Sequence, residues 1–251
     1  MTRSLRTLSF ATGVLMVGLA AGSPIRAGGQ DAPAAVGTNP IRLAQMQHHF
    51  TQVALIHESI IRGDLRSIRA PALQLAQLPT PNAVPAAAEP HVAAIRQAAR
   101  AAADATTLGA AATATVQMLM QCSDCHRQVG VGVVPNVAKR PDVGGVVGHM
   151  LEHQRAADDM LLGLLVPSPS QWQDGARRLS VAPLKSSQFP EDPALTKDVE
   201  KADARVHELA KAAEKAPDAN ARAGAYAELM ATCASCHKAH PRIWGPGSGN
   251  R

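Results

Sequence analysis

The sequence predicts an all-α protein made of two tandem antiparallel four-helix bundles. Apolar residues recur at helical spacing, and the alternation that indicates a strand is nowhere sustained. A five-residue motif with two cysteines and a histidine occurs twice and uses all four cysteines of the chain. The segments before each motif follow a similar order, which indicates an internal repeat.

Residues 1–27 are typical of a secretory signal peptide. Arg3 and Arg6 precede an apolar run from Leu8 to Ala21, and a cleavage site is available at Ala27. The run is shorter than the roughly 20 residues that a membrane-spanning helix needs. We therefore expect an exported protein without a stable membrane span after cleavage, an uncleaved anchor being the alternative.

The charge of the chain gives no reason to expect nucleic-acid binding. The formal net charge is +5, but Arg3, Arg6 and Arg26 leave with the signal peptide, so the mature chain is near +2 (5 − 3). Aromatic residues make up 2% of the sequence, too few for the stacking platforms on which single-stranded nucleic acids bind.

The first predicted bundle covers residues 41–128. It follows a flexible lead-in at residues 28–40, which is rich in Gly, Ala and Pro. Gly63 and Asp64 end its first helix. Its four helices are predicted at about 41–63, 65–78, 91–105 and 108–126. Residues 129–141, with repeated Gly, Val and Pro, form the predicted linker.

The second predicted bundle covers residues 142–243 and is followed by a tail at residues 244–251. Its helices are predicted at about 143–165, 170–181, 193–215 and 218–237, with Ser170 as the cap of the second. An offset of 100 residues aligns His49 with His149 and Gly63 with Gly163. An offset of 111 aligns the two cysteine motifs.

The two motifs are Cys122-Ser-Asp-Cys125-His126 and Cys233-Ala-Ser-Cys236-His237. This pattern is typical of c-type haem attachment. On a helix, cysteines three residues apart lie on one face, with the histidine close by. Each thiol can add to a haem vinyl group, and the imidazole can bind the iron as proximal ligand. The sequence therefore predicts two covalently attached c-type haems.

Other uses of the cysteine pairs explain less of the pattern. A single zinc ion could take two such pairs, but they lie 111 residues apart (233 − 122) and zinc does not require the histidine after each pair. A thioredoxin-like redox pair needs a βαβ context, which is absent from the sequence. A disulfide across so short a loop would do little to staple the fold.

Because each motif ends the fourth helix of its unit, the chain resembles cytochrome c′, the c-type cytochromes built as antiparallel four-helix bundles. The resemblance covers about Ile41 to Ile243, in two copies. It implies a haem among the helices of each unit, with His126 or His237 as proximal ligand and the distal side facing the first helix. It also implies a periplasmic location and redox proteins as partners.

The sixth iron ligand decides between electron transfer and ligand binding. His49 and His149 are the best candidates, because the offset of 100 gives them equivalent places on the helix that should face each haem. His57 and His153 lie on the same helical faces and are alternatives. By family resemblance, Met46 is a further alternative in the first unit.

The expected function is single-electron transfer between redox partners, without a catalytic residue. The alternative is a protein that binds nitric oxide or carbon monoxide at an open haem. A peroxidase is less expected, since it needs distal acid–base groups beside an open iron. The alanine-rich faces of the third and seventh helices could pack between the units or form a homo-oligomer.

Overall fold

The computed structural model describes residues 40–77, 85–130, 145–181, 183 and 193–240. Every regular element within these ranges is helical, which confirms the predicted all-α class. The predicted signal peptide and tail, and nearly all of the lead-in and linker, lie outside the described residues. The elements are α1 (Pro40–Ile61), α2 (Leu65–Gln77), a 3-10 turn (Ala86–Ala88), α3 (Glu89–Ala103), α4 (Leu108–Val129), α5 (Gly145–Leu165), α6 (Pro169–Leu179), α7 (Pro193–Glu214) and α8 (Ala219–Ala239).

Local capping fixes where most of these helices begin and end. Gly63 follows α1 with φ +73°, a conformation that glycine adopts without steric cost. Asp64 then accepts the backbone N–H of Ser67 at 3.2 Å and caps α2. The cap of α6 is Ser168, whose hydroxyl accepts the N–H of Gln171. Ser170, the predicted cap, therefore lies inside the first turn of α6.

The fourth helix continues beyond its predicted end. Thr107 caps its start by accepting the N–H of Ala110 at 3.1 Å. The helix passes through the cysteine motif and ends at Val129, where Gly130 adopts φ +69°. The first motif is therefore held inside a regular helix, one turn before a left-handed glycine cap.

The two halves of the chain interlock. Helices α4 and α8, which carry the two motifs, pack against each other. Helix α1 packs more extensively on α8 than on α4, and α5 packs more extensively on α4 than on α8. The first helix of each half thus packs more extensively on the last helix of the other half than on the last helix of its own half. The prediction of two tandem bundles is not confirmed, because the described helices of both halves belong to one compact unit.

The core of the second half is built around Trp172 in α6. This side chain is fully buried, and its indole N–H donates to the carbonyl of Ala213 in α7 at 3.0 Å. Gly163 in α5 lets the two helices approach closely, because a Cβ there would lie 2.6 Å from the backbone nitrogen of Trp172. The α5–α6 contact therefore requires a glycine at position 163.

Gly163→Ala is expected to destabilise the fold by about 1–3 kcal/mol, because the added methyl group would clash with the backbone of Trp172, which cannot move away as a side chain can. Gly224→Ala is the matched control, since a Cβ on Gly224 in α8 meets nothing within 4 Å. Alanine is the better helix former there by about 0.5–1 kcal/mol. Urea denaturation of both variants gives the comparison, and equal midpoints would contradict the close approach at Gly163.

Candidate functional site

The first cysteine motif lies near the end of α4, with its histidine held by a neighbouring helix. His126 Nδ1–H donates to the carbonyl oxygen of Leu165 at 2.9 Å. Leu165 is the last residue of α5. This bond places the proton on Nδ1 and the lone pair on Nε2, the tautomer that can bind a metal through Nε2.

The second motif repeats this arrangement on α8. His237 Nδ1–H donates to the carbonyl oxygen of Ile61 at 2.6 Å, and Ile61 is the last residue of α1. Burial lowers the pKa of both His126 and His237, although the carbonyl bonds partly oppose this shift. Both imidazoles are therefore neutral near pH 7, as metal binding requires.

The four cysteines are free thiols and are not paired in disulfides. Burial is the main reason that the pKa of Cys122 and Cys233 is raised to about 12, and that of Cys236 to about 11. The pKa of Cys125 is also raised by burial. All four thiols are therefore protonated at neutral pH, unlike the low-pKa cysteines of disulfide oxidoreductases.

The two carbonyl contacts correct the alignment of the halves. They make Ile61 equivalent to Leu165, an offset of 104 rather than 100. His49 then corresponds to His153, not to His149. The sequence alignment was misled by Gly63 and Gly163, which have different roles. Gly63 ends α1, whereas Gly163 lies inside α5 against Trp172.

His49 and His153 are each within electrostatic reach of the motif histidine of their own half. Burial lowers the pKa of His49 to about 4, with the charges of His48 and His126 contributing. Burial lowers the pKa of His153 to about 3, and the charge of His237 is among the smaller causes. Both side chains are therefore neutral imidazoles within electrostatic reach of a motif histidine.

Helices α1 and α5 connect the two motifs. His49, which is within electrostatic reach of His126, and Ile61, which bonds His237, are twelve residues apart on α1 (61 − 49). At 1.5 Å per residue, this separation is about 18 Å. His153 and Leu165 on α5 are also twelve residues apart (165 − 153), and Leu165 bonds His126.

His149, predicted as a distal ligand, is engaged elsewhere. Its Nε2 donates to Asp203 Oδ1 at 2.9 Å. It belongs to a cluster of four residues, His149 and His153 on α5 with Asp203 and His207 on α7. The side chain of His207 is 2% exposed. Sequence analysis missed Asp203 and His207, although their spacing of four residues matches that of His149 and His153.

His57, the alternative ligand in the first half, takes part in a buried hydrogen-bond network. Tyr226 in α8 donates to the carbonyl oxygen of Ala157 at 2.6 Å. Its hydroxyl oxygen lies 2.7 Å from His57 Nε2, from which it can accept. Burial raises the pKa of Tyr226 well above its usual value. The network joins α1, α5 and α8, which gives His57 a structural role. Met46, the further alternative, is half-buried one turn before His49.

No protein-family model, curated protein or solved structure matches this chain. Among the residues that the structure describes, none of the helices is long and apolar enough to cross a membrane. The function is therefore inferred from the two motifs and the geometry around them.

Proposed function

We propose that the chain is a periplasmic dihaem c-type cytochrome that transfers single electrons between redox proteins. The observation that carries this proposal is the matched environment of the two motif histidines. Each is neutral, and each donates from Nδ1 to the carbonyl of a helix-terminal residue. Such bonds orient a metal-ligating imidazole and increase its basicity.

The residues of each motif fit a covalently attached haem. The cysteines lie on one face of a continuous helix, and the neutral histidine that follows them carries its proton on Nδ1, so that Nε2 is the unprotonated ring nitrogen. Cys122, Cys125 and His126 would hold one haem, and Cys233, Cys236 and His237 the other. When bound, each haem supplies an iron that cycles between the ferrous and ferric states.

For the sixth ligands we propose His49 and His153. They are equivalent in the register that the carbonyl contacts define, and each is within electrostatic reach of its own motif histidine. His153 Nε2 is buried without a hydrogen-bond partner, whereas His149 Nε2 is bonded to Asp203. An imidazole on each side of the iron suits electron transfer, because no position is left open to external ligands.

The surroundings of His57 favour a carrier over a peroxidase. A peroxidase needs acid–base groups beside its iron, and His57 and Glu58 on α1 are the residues of the first half that could serve as such a pair. His57 is buried against Tyr226, while Glu58 is exposed and paired with Arg62 at 3.0 Å. Neighbouring positions on α1 thus place these groups in separate environments, and they do not converge on one reactant.

Absorption and electron paramagnetic resonance spectra of the oxidised, haem-loaded protein test the proposal. We expect two low-spin haems, and no spectral change when carbon monoxide is added after reduction. A high-spin signal together with carbon monoxide binding at both haems would contradict the electron-carrier proposal. That result would favour the alternative, a protein that binds small gases.

A further inference from the structure

The four clustered side chains near the second motif offer more ligands than one haem iron can use. His149 and His153 are four residues apart on α5, and Asp203 and His207 are four residues apart on α7. Residues at this spacing lie on one face of a helix. One donor atom from each of the four residues lies within 4.8 Å of the other three.

The distances already approach those of a metal site. Asp203 Oδ1 lies 2.9 Å from His149 Nε2, and Asp203 Oδ2 lies 3.4 Å from His207 Nε2. Zinc–nitrogen and zinc–oxygen bonds of about 2.0–2.2 Å place tetrahedral ligands roughly 3.3 Å apart. With the His149 proton on Nδ1 instead of Nε2, small side-chain movements would bring these three donors onto one ion.

The burial of Asp203 and His207 also favours a bound cation. The side chain of Asp203 is 1% exposed and that of His207 is 2% exposed. Neither ring nitrogen of His207 has a hydrogen-bond partner. A buried polar group without a partner costs about 1–3 kcal/mol. A divalent ion bound by Asp203 would also give His207 a partner for its lone pair.

We propose that His149, Asp203 and His207 bind a divalent transition-metal ion of the zinc class. Two imidazoles and a carboxylate are borderline ligands that suit this ion, with a fourth position left for water. The three zinc ligands are not among the residues proposed to hold a haem, and the exclusion of His153 from the zinc site rests on its proposed role as a haem ligand. His153 remains for the haem iron, so the four clustered side chains serve two metals.

Zinc titration of the haem-loaded, full-length protein after dialysis against a chelator tests the site. We expect one zinc ion per chain by isothermal calorimetry and by metal analysis. His207→Gln is expected to weaken zinc binding by about 100-fold or more, since even partners outside the ligand shell affect affinity by 10–100-fold. Haem content and the helical circular dichroism should stay unchanged, which would show that the variant folds.

Two further variants locate the site. His91→Gln is the control, because His91 lies on α3 and bonds Gln121 at 3.0 Å, outside the cluster; its zinc affinity should equal that of the wild type. His153→Gln should also retain zinc while changing the haem spectrum. The proposal is overturned if the wild type binds no stoichiometric zinc, or if His207→Gln binds it as tightly. Equal loss of zinc in His153→Gln and His207→Gln would overturn the division of the cluster between two metals.

Discussion

Replacing Cys233 and Cys236 together with alanine is expected to lower the covalently bound haem from two groups per chain to one. The same loss is expected when Cys122 and Cys125 are replaced. Each pair supplies the only two thiols of its motif, and without them no thioether can form at that helix. The remaining haem, measured from the absorption of the denatured protein in alkaline pyridine, should come from the intact motif.

Ser235→Ala is the matched control for the second motif. Ser235 lies between the two cysteines, is exposed, and donates from its hydroxyl to the backbone carbonyl of Ala231 in its own helix. This variant should keep both haems. Full haem content in either double-cysteine variant would remove the basis of the haem assignment, whereas loss of both haems from one variant would mean that the motifs do not act independently.

The second large effect is expected from the residues proposed as sixth ligands. His49→Ala should convert one low-spin haem to high spin and allow it to bind carbon monoxide after reduction. His153→Ala should do the same at the other haem. In each case the reason is the loss of the imidazole opposite the motif histidine, which leaves the iron open on that side.

The variant His149→Ala distinguishes the two possible alignments of the halves. The carbonyl contacts pair His49 with His153, whereas the sequence alignment pairs His49 with His149. His149 shares α5 with His153 and lies one turn away, but its Nε2 is bonded to Asp203. We expect this variant to keep both haems low-spin. A high-spin haem in His149→Ala, with an unchanged spectrum in His153→Ala, would restore the original pairing of His49 with His149.

Sequence reasoning located the helices well because their signals are local. The spacing of apolar residues, Gly63 after α1, and Asp218 before α8 each act within a few residues. The register of the two halves was missed, because the sequence alignment matched two glycines, Gly63 and Gly163, that are packed differently in the structure. Nothing in the sequence distinguishes a helix-ending glycine from one that admits Trp172 of a neighbouring helix.

The interlocking of the halves was missed for a related reason. The contacts from His126 to Leu165 and from His237 to Ile61 join residues 39 and 176 positions apart. Helical periodicity shows which face of a helix is apolar, but not which helix covers it. Asp203 and His207 have the polar composition of an exposed helix face, and only the packing of α7 against the core shows them to be buried.

The most direct test of the central claim is the intact mass of the wild-type protein, purified after export by haem-attaching bacteria and measured under denaturing conditions. Denaturation removes every group that is not covalently bound. The account predicts a chain that carries the mass of two haems and has no free thiol. A chain with four free thiols and no added haem would contradict it.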